Sequence, residues 1–349
     1  MSTVRWAIAG YGAGGRLFHA PMIEAASGIE LVAVVSTNRE RGREAGERGL
    51  EVVDDIRELQ RFDVDGVTIT TPAGTHVDLT HRALDSGLHV VVDKPFALDA
   101  ANARSVVDHA QAVDRMLTVY QNRRWDGDFL TIKSLLADGS LGRVRRFTSR
   151  IERLRPNLPA WNTRAGADQG GGTLVDLGPH LIDQATHLFG RAQSVYAELS
   201  QFDPQALAED DVVLSIEHEN GVLTTIVASI AAAAEGPRFQ VNGDLGGVWI
   251  DGFDVQEDML TAGESPLTLG SNWGLEPRER RLRIVSREGQ REVELQKGRW
   301  HEFYPAVARA VVDGAEVPVD PADAIHTCEI FDAARQSAAE RRRIDLPSR

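Results

Sequence analysis

Three sets of residues in this chain have the types and spacing to hold an anion or move a proton. Gly10-Tyr11-Gly12-Ala13-Gly14-Gly15 has G-x-G-x-x-G spacing. In that pattern Gly10 makes a tight turn, Gly12 lets backbone approach a pyrophosphate, and Gly15 lets the next helix sit close to the preceding strand. The phosphates then lie on a helix N-terminus, where free N–H groups favour anions. Lys94 follows the apolar run His89-Val90-Val91-Val92-Asp93, at the C-terminal end of a strand, which is where ligands bind in parallel sheets. Asp176 precedes His180 by four residues, so on a helix both face the same way, and the carboxylate can orient the ring and tune its charge; Pro179, which lacks an N–H, either kinks that helix or starts it anew, and in both cases Asp176 stays near His180. Hydride removal from a secondary alcohol needs a base for the hydroxyl proton, a cation near the developing oxyanion, and a nicotinamide against the carbinol carbon. His180 and Lys94 can supply the first two.

Each feature also has an ordinary reading. In a chain with 32 glycines the G-x-G-x-x-G spacing also arises in loops, a lone histidine on an amphipathic helix serves as a satisfied core or surface residue, and a strand-end lysine is often just solvated. The elements around them narrow the choice. Val4 to Ala9 reads as a buried strand running straight into the glycines, and Leu31 to Val35 as a second strand one helix-length later, which completes a βαβ unit. A surface helix over 40–49, a strand over 64–70 ending at Thr71-Pro72, a helix over 76–87, a strand over 89–92, a helix over 99–114 and a strand over 117–120 continue the alternation. Strands alternating with helices imply a doubly wound parallel sheet. An NAD-specific unit of this kind carries Asp or Glu about 20 residues beyond the glycines to hold the ribose 2′-OH. Here the second strand ends in Ser36-Thr37-Asn38-Arg39, and hydroxyls with a cation suit a 2′-phosphate, so NADP(H) is expected over NAD(H).

Past Gln121 the pattern changes. A helix over 128–138, a strand over 144–152, a loop to Gly172, one helix over 173–189, six strands between 194 and 286, and helices over 302–313 and 322–342 predict an α+β domain with a large mixed, mainly antiparallel open sheet. The expected division is 1–120 for dinucleotide binding and 121–349 for substrate binding and oligomerisation. The net charge of −14 disfavours a nucleic-acid partner, whose affinity rests on Lys and Arg displacing counterions. The longest mostly apolar stretch, 222–234, is too short for a bilayer, and the N-terminus has no apolar signal segment. A cytoplasmic setting is expected, consistent with one cysteine, Cys328, that has no partner within the chain. The histidines show no metal-ligand clustering, and no metal is expected. His19 reads as a packing residue.

At Asp93-Lys94-Pro95 the chain resembles the glucose-fructose oxidoreductase / inositol dehydrogenase / MocA family of two-domain NAD(P)-dependent dehydrogenases. The resemblance rests on four motifs in order: the Gly10–Gly15 fingerprint, Thr71-Pro72 with His76, Lys94-Pro95, and Gly170-Gly171-Gly172 leading into Asp176-x-Gly178-x-His180-x-x-Asp183. Asp-Lys-Pro-Phe in place of the usual Glu-Lys-Pro, together with Gln121 to Asp126, resembles a subgroup that includes NADP-dependent scyllo-inositol dehydrogenases. The resemblance implies His180 as acid/base with Lys94 on the reacting oxygen and Asp176 beside them. It implies a cofactor site of Gly10 to Gly15 (Tyr11 and Ala13 included), Ser36, Thr37, Arg39, Thr71, Pro72, His76, Asp93, Lys94 and Asn122. It further implies a polyol, inositol or sugar substrate and a homo-dimer or homo-tetramer. Some members of the family are non-catalytic dinucleotide-sensing regulators, and others act on non-sugar substrates; retention of Lys94, Asp176 and His180 together favours the enzyme. Four positions stay open. Asp183 contacts a substrate hydroxyl or pairs with a cation on the next turn; Trp161 and Arg164 cover the pocket or pack in an ordinary core; Asn122 reaches the nicotinamide or substrate or belongs to a hinge.

Overall fold

The computed structural model describes residues 3–154 and 165–347; Trp161 and Arg164 lie outside them. The first sheet has β1 (Val4–Ala9), β2 (Ile29–Val35), β3 (Glu51–Val53), β4 (Gly66–Ile69), β5 (His89–Val92) and β6 (Leu117–Val119), all parallel, in the order β3-β2-β1-β4-β5-β6. Connections leave β1 toward β2 on one side and return to β4 on the other. The strand order therefore reverses between β1 and β4, the position at which such sheets open a ligand crevice beyond the carboxyl ends of the strands. The near-continuous Val, Ile and Ala of these strands reflect helices on both faces: Trp6, Ala7, Ile8, Val67, Val90, Val91 and Val92 are all inaccessible to solvent.

The second sheet has nine strands: β7 (Val144–Glu152), β8 (Ala192–Ser200), β9 (Asp211–His218), β10 (Leu223–Ser229), β11 (Phe239–Gly243), β12 (Gly246–Ile250), β13 (Arg281–Ser286), β14 (Gly289–Glu294) and β15 (Ile344–Asp345). Their order is β14-β13-β12-β11-β7-β10-β9-β8-β15, and only β7 with β10 is a parallel pair. Period-2 alternation turns one face inward. Phe147, Phe239, Val241, Ile226 and Leu214 are buried there against the helices Gly127–Ala137, Gly178–Phe189 and Pro321–Glu340. On the outer face Thr148, Thr225, Val227, Gln240 and Trp249 stay half-exposed.

Two features depart from the sequence reading. The stretch expected as one helix over 173–189 is two, Thr173–Asp176 and Gly178–Phe189, joined at Leu177. Pro179 lies within the first two residues of the second helix, and a proline there has no N–H to continue the first. The second feature is the course of the chain end. After the nine-stranded sheet the helix Phe303–Asp313 returns to pack on β1 and β2, and Phe303, Tyr304 and Val307 join the core of the parallel sheet. The parallel-sheet layer is therefore completed by residues from beyond position 300. Three strands, β3, β14 and β15, also have no counterpart in the sequence reading.

Candidate active site

The chemistry-bearing residues converge on the carboxyl edge of the parallel sheet. At β1, Gly10 has φ +96, and a Cβ on it would stand 2.7 Å from the carbonyl oxygen of Thr70 beyond β4. A Cβ on Gly15 would collide with the Gly10 carbonyl, so the helix start can lie against the strand only as glycine. That start is a turn of π-helix, Gly14–His19, running into Ala20–Glu24; such wide turns gather at functional sites. Tyr11 is buried and its hydroxyl accepts from Arg48, whereas Ala13 is exposed.

At β2, Thr37 and Arg39 are exposed and Ser36 half-exposed, and Asn38 caps the helix Arg39–Glu47 by accepting from the Arg41 N–H at 3.1 Å. A Cβ on Gly12 would lie 3.3 Å from Nη1 of Arg41. That guanidinium covers the glycine loop at the edge where a dinucleotide's ribose would lie. Arg41 was absent from the sequence reading, because no spacing rule links it to Gly12. Asn38, a polar residue directly before a charged helix, was a visible cap signal. Cradles that exclude any side chain, a capped helix N-terminus and the Ser36, Thr37, Arg39 and Arg41 donors together fit a nicotinamide dinucleotide.

At β4 and β5 the loops are tied together. His76 sends Nε2 toward the Thr71 carbonyl at 2.7 Å and Nδ1 toward that of Pro95 at 2.8 Å, bridging the turn at Thr71-Pro72 to the one at Lys94-Pro95. Asp93 Oδ1 accepts from the Lys94 N–H at 2.8 Å, and Oδ2 from the Thr70 hydroxyl at 3.1 Å. Burial pushes the Asp93 carboxyl up, but His19, Lys94 and His76 outweigh it and hold it at about 2.

Lys94 Nζ donates to the main-chain carbonyl of Asp176 at 2.8 Å and to its Oδ1 at 3.1 Å. The break at Leu177 places that carbonyl at the end of a one-turn helix, where no regular partner is available within the helix, and Lys94 takes it. Gly172 sets the approach: with φ +100, its Cβ position is filled by the Glu209 carboxylate, which accepts from the Leu174 N–H at 3.0 Å while the Glu209 carbonyl accepts from Thr173 at 2.9 Å. Glu209, another residue the sequence reading missed, anchors the start of the short helix.

His180 lies on the first turn of the following helix, 7% exposed, and its Nδ1 has no hydrogen-bond partner. Burial, then the charges of Lys94, Arg123, Arg238 and Arg153, hold its ring well below the usual imidazole range. Asp176, expected to orient this ring, gives its carboxylate to Lys94, and the charges that tune the ring are cations.

Asp183 is placed differently from Asp176. It is buried, and both its oxygens accept from Arg124, at 2.8 and 2.6 Å. Of its two readings the ion pair is what the geometry shows, with the cation coming from the sheet junction rather than from the next turn. Burial pulls the Arg124 guanidinium down, but Asp183 and Asp323 push it up and keep it charged. Neighbouring Arg123 pairs with Glu257 and lies 3.4 Å from Asp126, and Gln184 joins Arg238 to the Arg123 carbonyl at 2.7 and 2.8 Å. Asn122 is buried at the start of the 3-10 turn Asn122–Trp125, three residues past β6. No cluster of metal-ligand type occurs among the described residues.

Residues 4–121 match the model of an oxidoreductase family with an NAD-binding Rossmann fold, and residues 129–249 match the GFO/IDH/MocA C-terminal domain. The chain belongs to the GFO/IDH/MocA oxidoreductase family. It is 37% identical over 346 residues to the oxidoreductase YdgJ of Escherichia coli, with 97% of each chain covered. It is 31% identical over 353 residues to IolW of Bacillus subtilis, a scyllo-inositol 2-dehydrogenase (NADP(+)), covering 99% of this chain and 97% of that one. The solved structure of the Bacillus subtilis oxidoreductase yvaA superposes with a TM-score of 0.92 at 30% identity, covering 99% of both chains. Within this GFO/IDH/MocA frame the protein is an NAD(P)-dependent dehydrogenase, its parallel sheet is the dinucleotide-binding layer and its nine-stranded sheet the family's second layer. No helix among the described residues is long and apolar enough to cross a membrane.

Proposed function

We propose that this dehydrogenase prefers NADP(H) and transfers a hydride between the nicotinamide and a secondary alcohol or ketone of an inositol or sugar. The observation that carries the reading is the Lys94–Asp176 pair at the sheet edge, with His180 one short turn further on. When bound, the nicotinamide supplies the hydride acceptor or donor. Lys94 keeps a positive charge beside the reacting oxygen, held there by the carbonyl and carboxylate of Asp176. His180, kept neutral by burial and surrounding cations, takes the hydroxyl proton in oxidation and returns it in reduction. A substrate rich in hydroxyls satisfies these groups, whereas an apolar ketone would leave them unpaired at about 1–3 kcal/mol per buried group.

The preference for NADP(H) is supported by the absence of a carboxylate among Ser36, Thr37, Asn38 and Arg39 and by Arg41 above Gly12, and by the similarity to IolW, whose name states that cofactor. The half-exposed outer face of the nine-stranded sheet supports self-association into a dimer or tetramer, and the setting we assign is cytoplasmic. Steady-state assays with both cofactors across inositols, inososes, aldoses and aliphatic alcohols or ketones test the reading, with the scyllo-inositol/inosose pair first. Higher catalytic efficiency on the aliphatic set, or no turnover with any member, would overturn it.

A further inference from the structure

A buried chain of polar contacts runs beneath the catalytic edge. Trp6, Thr68, Tyr304 and His19 are all inaccessible to solvent. The Trp6 indole N–H donates to Thr68 Oγ1 at 2.8 Å, Thr68 Oγ1 lies 2.8 Å from the Tyr304 hydroxyl, and that hydroxyl lies 2.7 Å from His19 Nδ1. His19 Nε2 lies 3.4 Å from Asp93 Oδ2 and makes no hydrogen bond, so this last link is electrostatic. The ring is fixed laterally by Tyr120, whose centroid is 4.3 Å away.

The ends of the chain set its direction. An indole N–H only donates and a carboxylate only accepts. Thr68 accepts from Trp6 and so gives its hydrogen to Tyr304, Tyr304 gives its own to His19 Nδ1, and the ring is left with its hydrogen on Nε2, toward Asp93. The opposite arrangement leaves the Thr68 hydrogen without an acceptor in a dry interior and turns a nitrogen lone pair on the carboxylate, two penalties the forward chain avoids. Links polarised one way reinforce one another. At the receiving end Asp93 holds the Lys94 main chain through Oδ1, and a Cβ on Gly14 would lie 3.4 Å from its Oδ2, so the same carboxylate borders the glycine loop.

We propose that His19 and Tyr304 are positioning residues for the Asp93-Lys94 turn, acting through this one-way chain from Trp6. The catalytic part rests on the role given above to Lys94; the chain itself does not. Tyr304 comes from the returning C-terminal helix, 285 residues after His19, so the turn is fully positioned only once that helix has docked. No residue of the chain touches the reacting atoms.

Full-length wild type, Tyr304→Phe, His19→Gln and His19→Leu test it, with thermal melts establishing the folded fraction. Nitrogen-15 NMR of histidine, with the His19 signals identified by their loss in His19→Gln, is expected to show a hydrogen on Nε2 and an unprotonated Nδ1 that shifts in Tyr304→Phe. In turnover, kcat is expected to fall about tenfold in Tyr304→Phe and His19→Leu, with NADPH affinity from fluorescence titration moving less than about threefold. His19→Gln, whose amide N–H can replace Nε2–H, is expected to stay within about threefold of wild type. A hydrogen on Nδ1 overturns the chain whatever the kinetics. Wild-type kcat in folded His19→Leu, or equal losses in the Gln and Leu variants, overturns the positioning role. A wild type inactive on the whole panel would sink the substrate reading and leave the tautomer to decide this one.

Discussion

Two carboxylates seven positions apart each meet a cation from elsewhere in the chain, and they do opposite things with it. Asp176 meets Lys94 at the open edge, where the two side chains keep 20% and 22% of their surface. Asp183 meets Arg124 with 2% and 8% left, through two parallel hydrogen bonds and with Asp323 on the far side. Between the first pair there is one side-chain contact and one main-chain contact, and both side chains keep part of their surface. The second is a bidentate fork closed off from solvent. A flexible ammonium held by a carbonyl can re-aim at an arriving oxygen, whereas a guanidinium clamped in a planar fork locks the helix Gly178–Phe189 to the sheet junction. Exposure and geometry, not charge, separate the open pair from the buried one.

The sharpest way to break that contrast is to cut the buried pair. Asp183→Ala leaves Arg124 charged in a desolvated site with only a partly exposed partner, and should destabilise the fold by about 3–5 kcal/mol. Asp176→Asn, at the wetter pair, should cost less than about 1 kcal/mol. Denaturant melts on both variants check this; equal losses would erase the distinction.

Turnover should show the reverse ranking. Lys94→Met and His180→Asn are each expected to lower kcat by about a hundredfold or more while the melt and NADPH binding stay near wild type. Single-turnover measurements on a substrate the wild type uses decide it, and near-normal rates in either variant would remove that residue from the role assigned here.

What was legible in the sequence follows the same division. The strand edge is built from backbone and glycine, and a backbone that admits no side chain shows itself as Gly10 and Gly15 at fixed offsets. Apolar runs marked the strands buried on both faces. By contrast β3 has three residues, β15 has two, and β14 is the polar edge sequence Gly289-Gln290-Arg291-Glu292-Val293-Glu294, with no alternation to detect. Pro179 announced a disturbed helix, and the structure puts the break two residues before it. The network residues were illegible for a different reason. Arg124 is 59 positions from Asp183 and Tyr304 is 285 from His19, and no local period connects such distances, so His19 read as packing and Asp183 as undecided.

The cofactor edge allows a smaller test. If Arg41 holds a 2′-phosphate above Gly12, Arg41→Ala should raise the KM for NADPH by about tenfold, close to the 1–2 kcal/mol of one charge-assisted contact, and leave that for NADH within about twofold. A parallel rise for both cofactors would mean that Arg41 supports the loop and does not read the phosphate.

The smallest expected effect is a missing one, and it concerns His180. A histidine with the ordinary value near 6.5 is about nine-tenths protonated at pH 5.5, so a base of that kind would lose about tenfold in kcat/KM between pH 7.5 and 5.5. The His180 ring is held well below that range by burial and by Lys94, Arg123, Arg238 and Arg153, so it keeps its neutral form through the interval, and its contribution to the decline should be less than about twofold. Stability moves with the opposite sensitivity. The unfolded chain takes up a proton near 6.5 that the folded ring refuses, so stability falls as pH drops below the ordinary value, and the buried ring of His218, which burial also lowers, adds to the same trend. A kcat/KM profile corrected for folded fraction by circular dichroism separates the two. Flat activity over an interval in which the melting temperature drops is the expected result, and an acid limb centred near 6.5 in the corrected profile would show that the cations around His180 do not hold its ring neutral.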